Sequence, residues 1–193
     1  ARRPEGVERR VYTRIGVIGA GLMGAGIAYS AAKAGMQVML LDIDQERADK
    51  GQDYARAAED KLISRERSSQ EKRDAILARI HPVCDYAALD GCQLIVEAVF
   101  EDRGVKAKVT QAAEAVIGPD AVFGSNTSTL PITGLAEGST RPENYIGMHF
   151  FSPAERMPLV EVIVGEQTSD ACLAWTLDFV QAIGKTPIVV NDA

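Results

Sequence analysis

The stretch RIGVIGAGLMGAGIA, residues 14–28, decides the fold. Ile15, Val17 and Ile18 make a short apolar run bounded by glycine, the pattern of a parallel strand buried on both faces. Gly19, Gly21 and Gly24 follow at GxGxxG spacing, and a helix is predicted from about Leu22 to Ala34, closed by Gly35. Each glycine has a separate use in such a turn. Gly19 lets the chain reverse tightly, Gly21 lets the backbone approach a pyrophosphate, and Gly24 lets the helix pack close to the sheet. The helix N-terminus, with Leu22 and Met23 in its first turn, then offers free amides and a positive dipole end to phosphates. A second buried strand, Gln37 to Asp42, puts Asp42 where its carboxylate accepts hydrogen bonds from a ribose diol. A 2′-phosphate there would meet that charge, and positions 43–46 hold no Arg or Lys. The pattern favours NAD over NADP; FAD uses the same fingerprint, and a packing turn followed by a helix-capping acid is the plainer alternative.

Outward from this unit, strands and helices alternate. From Asp44 to Arg79 the sequence is charged and helical: Asp44 caps a helix carrying Ala48, Ala55, Ala58 and Leu62, and a capping box at Ser68–Glu71 opens a second that buries Ile76, Leu77 and Ile80. This insertion is longer than a crossover needs, so the pair either approaches a ligand or is a solvated excursion. Leu94–Val99 is the next strand, followed by a helix expected to bury Val105, Val109, Ala112 and Val116. Strands are predicted at 121–123, 145–148, 159–163 and 188–190. A helix from Ser169 to Gly184 turns Cys172, Thr176, Phe179, Val180 and Ile183 inward. The alternation means an α/β, Rossmann-type, doubly wound and mostly parallel sheet with a helical pair inserted after the second strand. Residues 1–13 are polar and unperiodic and read as a linker; residues 14–193 read as one domain.

Composition sets outer bounds. With 193 residues, 46% hydrophobic and 25% charged, the chain suits one globular domain. A formal charge of −6 speaks against a general nucleic-acid surface, so anionic ligands must be held by helix N-termini or single basic residues. No apolar run approaches a membrane span. Three cysteines at unrelated spacings (Cys84, Cys92 and Cys172) suit reduced thiols in a cytoplasm-like compartment, and no metal site is expected.

Two segments carry chemistry. His149 ends an apolar strand in GMHFFSP, at the edge where ligands bind in such sheets, and Glu161 sits inside LVEVI, where a carboxylate needs a partner. The return through Phe150 to Pro158 can bring the two together. An imidazole fixed by a carboxylate suits alcohol oxidation, taking the hydroxyl proton as hydride leaves; a strand-end histidine satisfied by backbone is the alternative. Ser125-Asn126-Thr127-Ser128 follows the strand ending near Phe123, and is either a substrate-contacting loop or a polar turn capping the next short helix. His81, before Pro82, reads as a surface or capping residue.

With GAGLMGAGIA at 19–28, VEAVFED at 96–102, SNTS at 125–128 and GMHFFSPAERMPLVEVI at 147–163, the chain resembles the NAD-binding domain of the L-3-hydroxyacyl-CoA dehydrogenase family over residues 14–192. The HFFSP and RMPLVEVI wording, GKTPIVV at 184–190 and Ser152 resemble the dehydrogenase part of multifunctional fatty-acid oxidation α-subunits. The resemblance implies oxidation of an L-3-hydroxyacyl-CoA to the 3-ketoacyl-CoA in fatty-acid β-oxidation. It implies His149 as catalytic base, Glu161 as its orienting partner and Ser128 at the substrate's 3-oxygen. It further implies that Gly19, Gly21, Leu22, Met23, Gly24, Asp42, Glu101, Lys106, Asn126 and Ser152 meet NAD, and that the helical pair approaches CoA. Arg103-Gly104 replaces a usually more apolar pair. The family continues into a C-terminal helical domain absent from these residues, and its full-length members are expected as homodimers or in complex with a thiolase subunit. A cofactor-binding or structural protein without turnover is the alternative function, and a β-hydroxyacid dehydrogenase with a catalytic Lys is a second.

Overall fold

In the computed structural model, which describes residues 3–192, one sheet is built from β1 (Arg14–Ile18), β2 (Gln37–Leu41), β3 (Ile80–Val83), β4 (Leu94–Glu97), β5 (Val122–Ser125), β6 (Tyr145–Phe150), β7 (Leu159–Val164) and β8 (Thr186–Asn191). The strand order is β3-β2-β1-β4-β5-β6-β7-β8. Neighbours from β3 to β6 are parallel, β7 runs antiparallel to β6, and β8 is parallel to β7. The order reverses between β1 and β4, so a crevice opens there at the carboxyl ends of the strands.

Two apolar cores sandwich the sheet. Ile15, Val17, Val38, Leu40, Leu94 and Val96 point to one face, where α1 (Leu22–Lys33), α2 (Gln45–Ser64), α3 (Gln70–Arg79) and α6 (Asp170–Ala182) pack. Ile18, Met39, Leu41, Ile95 and Phe123 point to the other, beneath α4 (Arg103–Glu114) and α5 (Ile132–Leu135). This period-two alternation within continuously apolar strands is why both faces are buried. Asp44 caps α2, its side chain accepting from Arg47 N, and Ser169 caps α6 through Cys172 N.

Three local expectations change, and the inserted helical pair finds its place. The cap of α3 is Ser69, which accepts from Lys72 N, whereas Ser68 donates to Glu59 at 2.7 Å. Ile80 leaves α3 to begin β3, an edge strand that tolerates Pro82, and His81 bonds Gln37 from there at 2.7 Å. The α2–α3 pair lies on the body, latched by the buried Tyr29–Glu59 hydrogen bond and by Tyr54 donating to Glu155. Finally, α4 fully buries Lys106, Thr110 and Ala113 over a polar strand end, whereas Val109 and Val116 are only partly buried against the second core and Val105 is exposed.

Of the first thirteen residues, those from Arg3 onward are pinned against α6. Asp178, buried, accepts from Arg3 Nε at 2.8 Å, Arg3 Nη2 at 2.9 Å and Arg10 N at 2.9 Å. The Arg10 guanidinium lies 3.8 Å over the Trp175 ring, and Tyr12 donates to the Trp175 carbonyl at 2.8 Å. Burial pushes the Asp178 carboxyl up, but the Arg3 and Arg10 hydrogen bonds and the charges of Arg3 and Arg9 outweigh it and hold it below its ordinary value. A carboxyl depressed on folding stabilises above its unfolded value and loses that contribution as pH falls. Asp178→Ala is expected to lower unfolding free energy by about 1–3 kcal/mol at neutral pH, read by urea denaturation. The gap from wild type should stay full above pH 3.8 and close below it.

Candidate active site at the sheet's carboxyl edge

The glycine turn is built by close approach. A methyl on Gly24 would overlap the Gly19 carbonyl oxygen, so only glycine seats α1 on the end of β1. Gly19 adopts φ +101°, and a Cβ there would lie 2.6 Å from the Ala98 carbonyl. Gly21 differs: a Cβ would meet nothing within 4 Å, so its bare backbone faces open space. It is the N-cap of α1, has no capping side chain, and is followed by a first turn free of acids. These features fit a phosphate group drawn to free amides. Asp42 completes the turn, accepting from Ala20 N at 2.8 Å and Ile43 N at 2.7 Å.

A cleft of about 630 Å³ opens beside this turn, lined by Gly19, Gly21, Asp42, Ile43, Arg47 and Val105, among others. Val109 and Phe100 also face it, so of the valines expected in the core Val105 and Val109 line the cleft, while Val109 and Val116 also pack against the edge of the second core. Asp42 and Arg47 are the charged residues among those lining it; Arg47, one position beyond 43–46, is ion-paired to Asp44 at 3.1 Å. Of the other residues expected at the cofactor, Leu22 is exposed, Met23 is half-buried against the core, and Ser152 is exposed in the turn after β6.

Along the same edge, β6 and β7 set His149 directly opposite Glu161, with Nδ1 3.5 Å from Oε1. The pair is partly exposed, and the imidazole packs against Phe151 at 4.7 Å between ring centroids. The geometry leaves Nε2 as the nitrogen not facing the carboxylate. The 125–128 loop joins this strand through Asn126 Oδ1, which accepts from Phe150 N at 2.9 Å. It does not cap α5, whose N-cap is Pro131 without a side-chain hydrogen bond; Thr127 instead accepts from Leu130 N.

Ser128 bonds Glu101 Oε2 through its amide at 3.2 Å and its hydroxyl at 3.4 Å. Burial pushes the Glu101 carboxyl up, yet hydrogen bonds from Thr127 and Ser128, the Lys106 charge and Thr129 hold it below its ordinary value. Lys106 itself is 1% exposed, with Nζ 2.6 Å from Glu97 and 3.6 Å from Glu101. Glu97, absent from the expected set, is fully buried at the end of β4 and also takes Ser125 Oγ at 2.7 Å. The signal for it was available: a carboxylate inside an apolar strand, the same one that marked Glu161.

Residues 14–193 match the family model described as 3-hydroxyacyl-CoA dehydrogenase, NAD binding domain. The structure is similar to that of (S)-3-hydroxybutyryl-CoA dehydrogenase PaaH1 from Ralstonia eutropha, at 35% identity and a TM-score of 0.92, over 95% of this chain and 65% of that one. M. tuberculosis FadB2 matches at 33% identity and a TM-score of 0.91, again over 95% of this chain and 65% of its own. The dehydrogenase part of multifunctional enzyme 1 from C. elegans matches at 28% and 0.86, over 97% of this chain and 43% of that one. The chain thus spans less than two thirds of the length of these relatives. Gly21→Ala should move the urea midpoint only slightly, because the methyl meets nothing and the poorer N-cap is offset by the lower entropy of the unfolded chain. It should weaken dinucleotide binding by about tenfold or more, because the methyl fills the phosphate approach.

Proposed function

The chain belongs to the NAD-binding-domain family of the 3-hydroxyacyl-CoA dehydrogenases, and we propose that it supplies the cofactor site and the catalytic base for oxidising an L-3-hydroxyacyl-CoA to the 3-ketoacyl-CoA. The observation that carries this reading is the His149–Glu161 pair at the carboxyl edge, tied through Asn126 to the Ser128 loop. NAD+, when bound, supplies the hydride acceptor. The turn at Gly19, Gly21 and Gly24, with Leu22 and Met23 in the first turn of α1, would hold the pyrophosphate, and Asp42 would accept from the adenosine ribose hydroxyls. The apolar walls of the cleft, Ile43, Phe100, Val105 and Val109, suit a flat base. Glu101, Lys106, Asn126 and Ser152 serve the nicotinamide half.

His149 Nε2 accepts the proton of the substrate's 3-hydroxyl as the C3 hydrogen leaves with its electron pair, so the alcohol carbon becomes a ketone and the imidazole becomes an imidazolium. Glu161, facing Nδ1, fixes the tautomer and stabilises that cation. Ser128 holds the 3-oxygen. The proton then passes to solvent.

The finer placement, in β-oxidation and among multifunctional α-subunits acting with a thiolase subunit, rests on the HFFSP and RMPLVEVI wording and on Ser152. Similarity to the C. elegans multifunctional enzyme supports it, while similarity to PaaH1 supports a separate dehydrogenase, for which a homodimer is the natural assembly. Free Cys84, Cys92 and Cys172 fit a reducing, cytoplasmic compartment, and no described helix is long and apolar enough to cross a membrane.

NADH and NADPH titrated into the 193-residue chain, followed by nicotinamide fluorescence, test the cofactor reading. Saturable binding that prefers NADH is expected, and a folded chain binding neither overturns it. Catalysis is tested in a form extended to the length of the relatives, with acetoacetyl-CoA as substrate. His149→Gln should cost about 10²–10⁴-fold in turnover while leaving NADH affinity unchanged. A domain without turnover of its own would show NADH binding and no activity for His149→Gln to remove.

A further inference from the structure

We propose that the buried Glu97–Lys106 ion pair is a positioning device for the nicotinamide half of the site, gripping the 125–128 loop at both ends. The inference rests on the cofactor reading above and extends it to a residue, Glu97, that neither touches the cleft nor belongs to the glycine turn.

The connections are continuous. Glu97 ends β4 at 0% exposure; its Oε1 accepts from Ser125 Oγ at 2.7 Å, and its backbone carbonyl accepts from Asn126 N at 2.8 Å. The start of the loop is therefore held by Glu97 directly. Its Oε2 accepts from Lys106 Nζ at 2.6 Å and from Val99 N at 3.0 Å. The same ammonium reaches Glu101 at 3.6 Å, and Glu101 takes the amide and hydroxyl of Ser128 and the hydroxyl of Thr129. The end of the loop is held through Lys106 and Glu101. Between the two ends, Asn126 accepts from Phe150 N, next to His149.

A lysine and a glutamate at 1% and 0% exposure are costly to desolvate, and apolar side chains of similar volume would often hold the fold as well. Packing alone does not call for charges here, least of all on a helix face whose next buried residues are Thr110 and Ala113. What charges add is direction. One ammonium shared by two carboxylates fixes Glu101 relative to the end of β4, and with it the direction in which Ser128 presents its hydroxyl. Lys106 acts here as a positioning residue whose ammonium lies beneath the site.

The test compares NADH with ADP-ribose, which keeps the adenosine, the diphosphate and the second ribose and lacks only the nicotinamide ring, in the 193-residue chain. Glu97→Gln strands the Lys106 charge and threatens folding, and Lys106 is itself assigned to the nicotinamide half, so the decisive variant spares both: Ser125→Ala releases the start of the loop from Glu97 Oε1 and leaves the Lys106 contacts to Glu97 and Glu101 in place. Its ADP-ribose affinity is expected to match wild type, because Gly19, Gly21 and Asp42 are untouched. Its NADH affinity should fall by about tenfold, with an altered emission of the bound nicotinamide. Unchanged affinity for both ligands overturns the proposal. So does an equal loss for both with a lowered urea midpoint, which would mark the contact as packing only. Wild type that binds neither ligand overturns the cofactor reading and this inference with it, whereas wild type binding both isolates the grip of Glu97 on the loop.

Discussion

The carboxyl edge depends on one steric constraint, the seating of Gly24 against the Gly19 carbonyl. Because no side chain intervenes, α1 begins directly on the end of β1 and its first amides stay free. Asp42 reinforces the arrangement from the neighbouring strand by accepting from Ala20 N. A wider turn would leave Asp42 without that amide and swing the helix N-terminus away from the crevice between β1 and β4. The β1–α1 turn therefore fixes the origin from which the cleft, the β4 end and the 125–128 loop take their positions.

Much of this was legible in the sequence wherever one physical demand dominated a segment. The strands at 15–18, 37–41 and 94–97 are apolar because both faces are covered, and the glycine spacing and Asp42 follow from the turn's own geometry. Legibility failed where two demands overlapped. In α4, Val105 and Val109 carry an apolar period, but it belongs to the cleft wall, while the sheet-facing positions 106, 110 and 113 are offset by one residue and partly polar. In β3, Pro82 and His81 mask an edge strand. In residues 3–13 there is no period to read, because the segment is held by single contacts to Asp178 and Trp175. The His149–Glu161 pair was legible as two anomalies, and only the antiparallel register of β6 and β7 joins them.

The two halves of the edge solve binding in different ways. The end at the glycine turn is shaped by absence: a bare Gly21, an uncapped helix start and exposed apolar walls at Ile43 and Phe100. Its charges are Asp42, part-buried on the Ala20 amide, and the exposed Arg47. The end at the 125–128 loop is shaped by buried charge, with Glu97 bonded to Ser125 and Lys106, and Lys106 reaching on to Glu101. This division follows from what each part must do. A purine and a pyrophosphate need space and free amides, whereas a hydride transfer needs a loop held in one direction.

The His149–Glu161 pair adds a further requirement that a purely parallel sheet meets poorly. In parallel strands, a residue at the carboxyl edge of one neighbours a residue at the carboxyl edge of the next, reached only through a long crossover. The antiparallel return of β7 places Glu161 across from His149 after a turn of eight residues, 151–158. The register is then fixed from the opposite face, because Val160 and Val162 are fully buried against the core containing α6. A slip of one residue would expose both valines and turn Glu161 into that core, so the apolar face enforces the alignment of the polar one. Burial of two valines, not the 3.5 Å contact itself, is what keeps the carboxylate beside the imidazole.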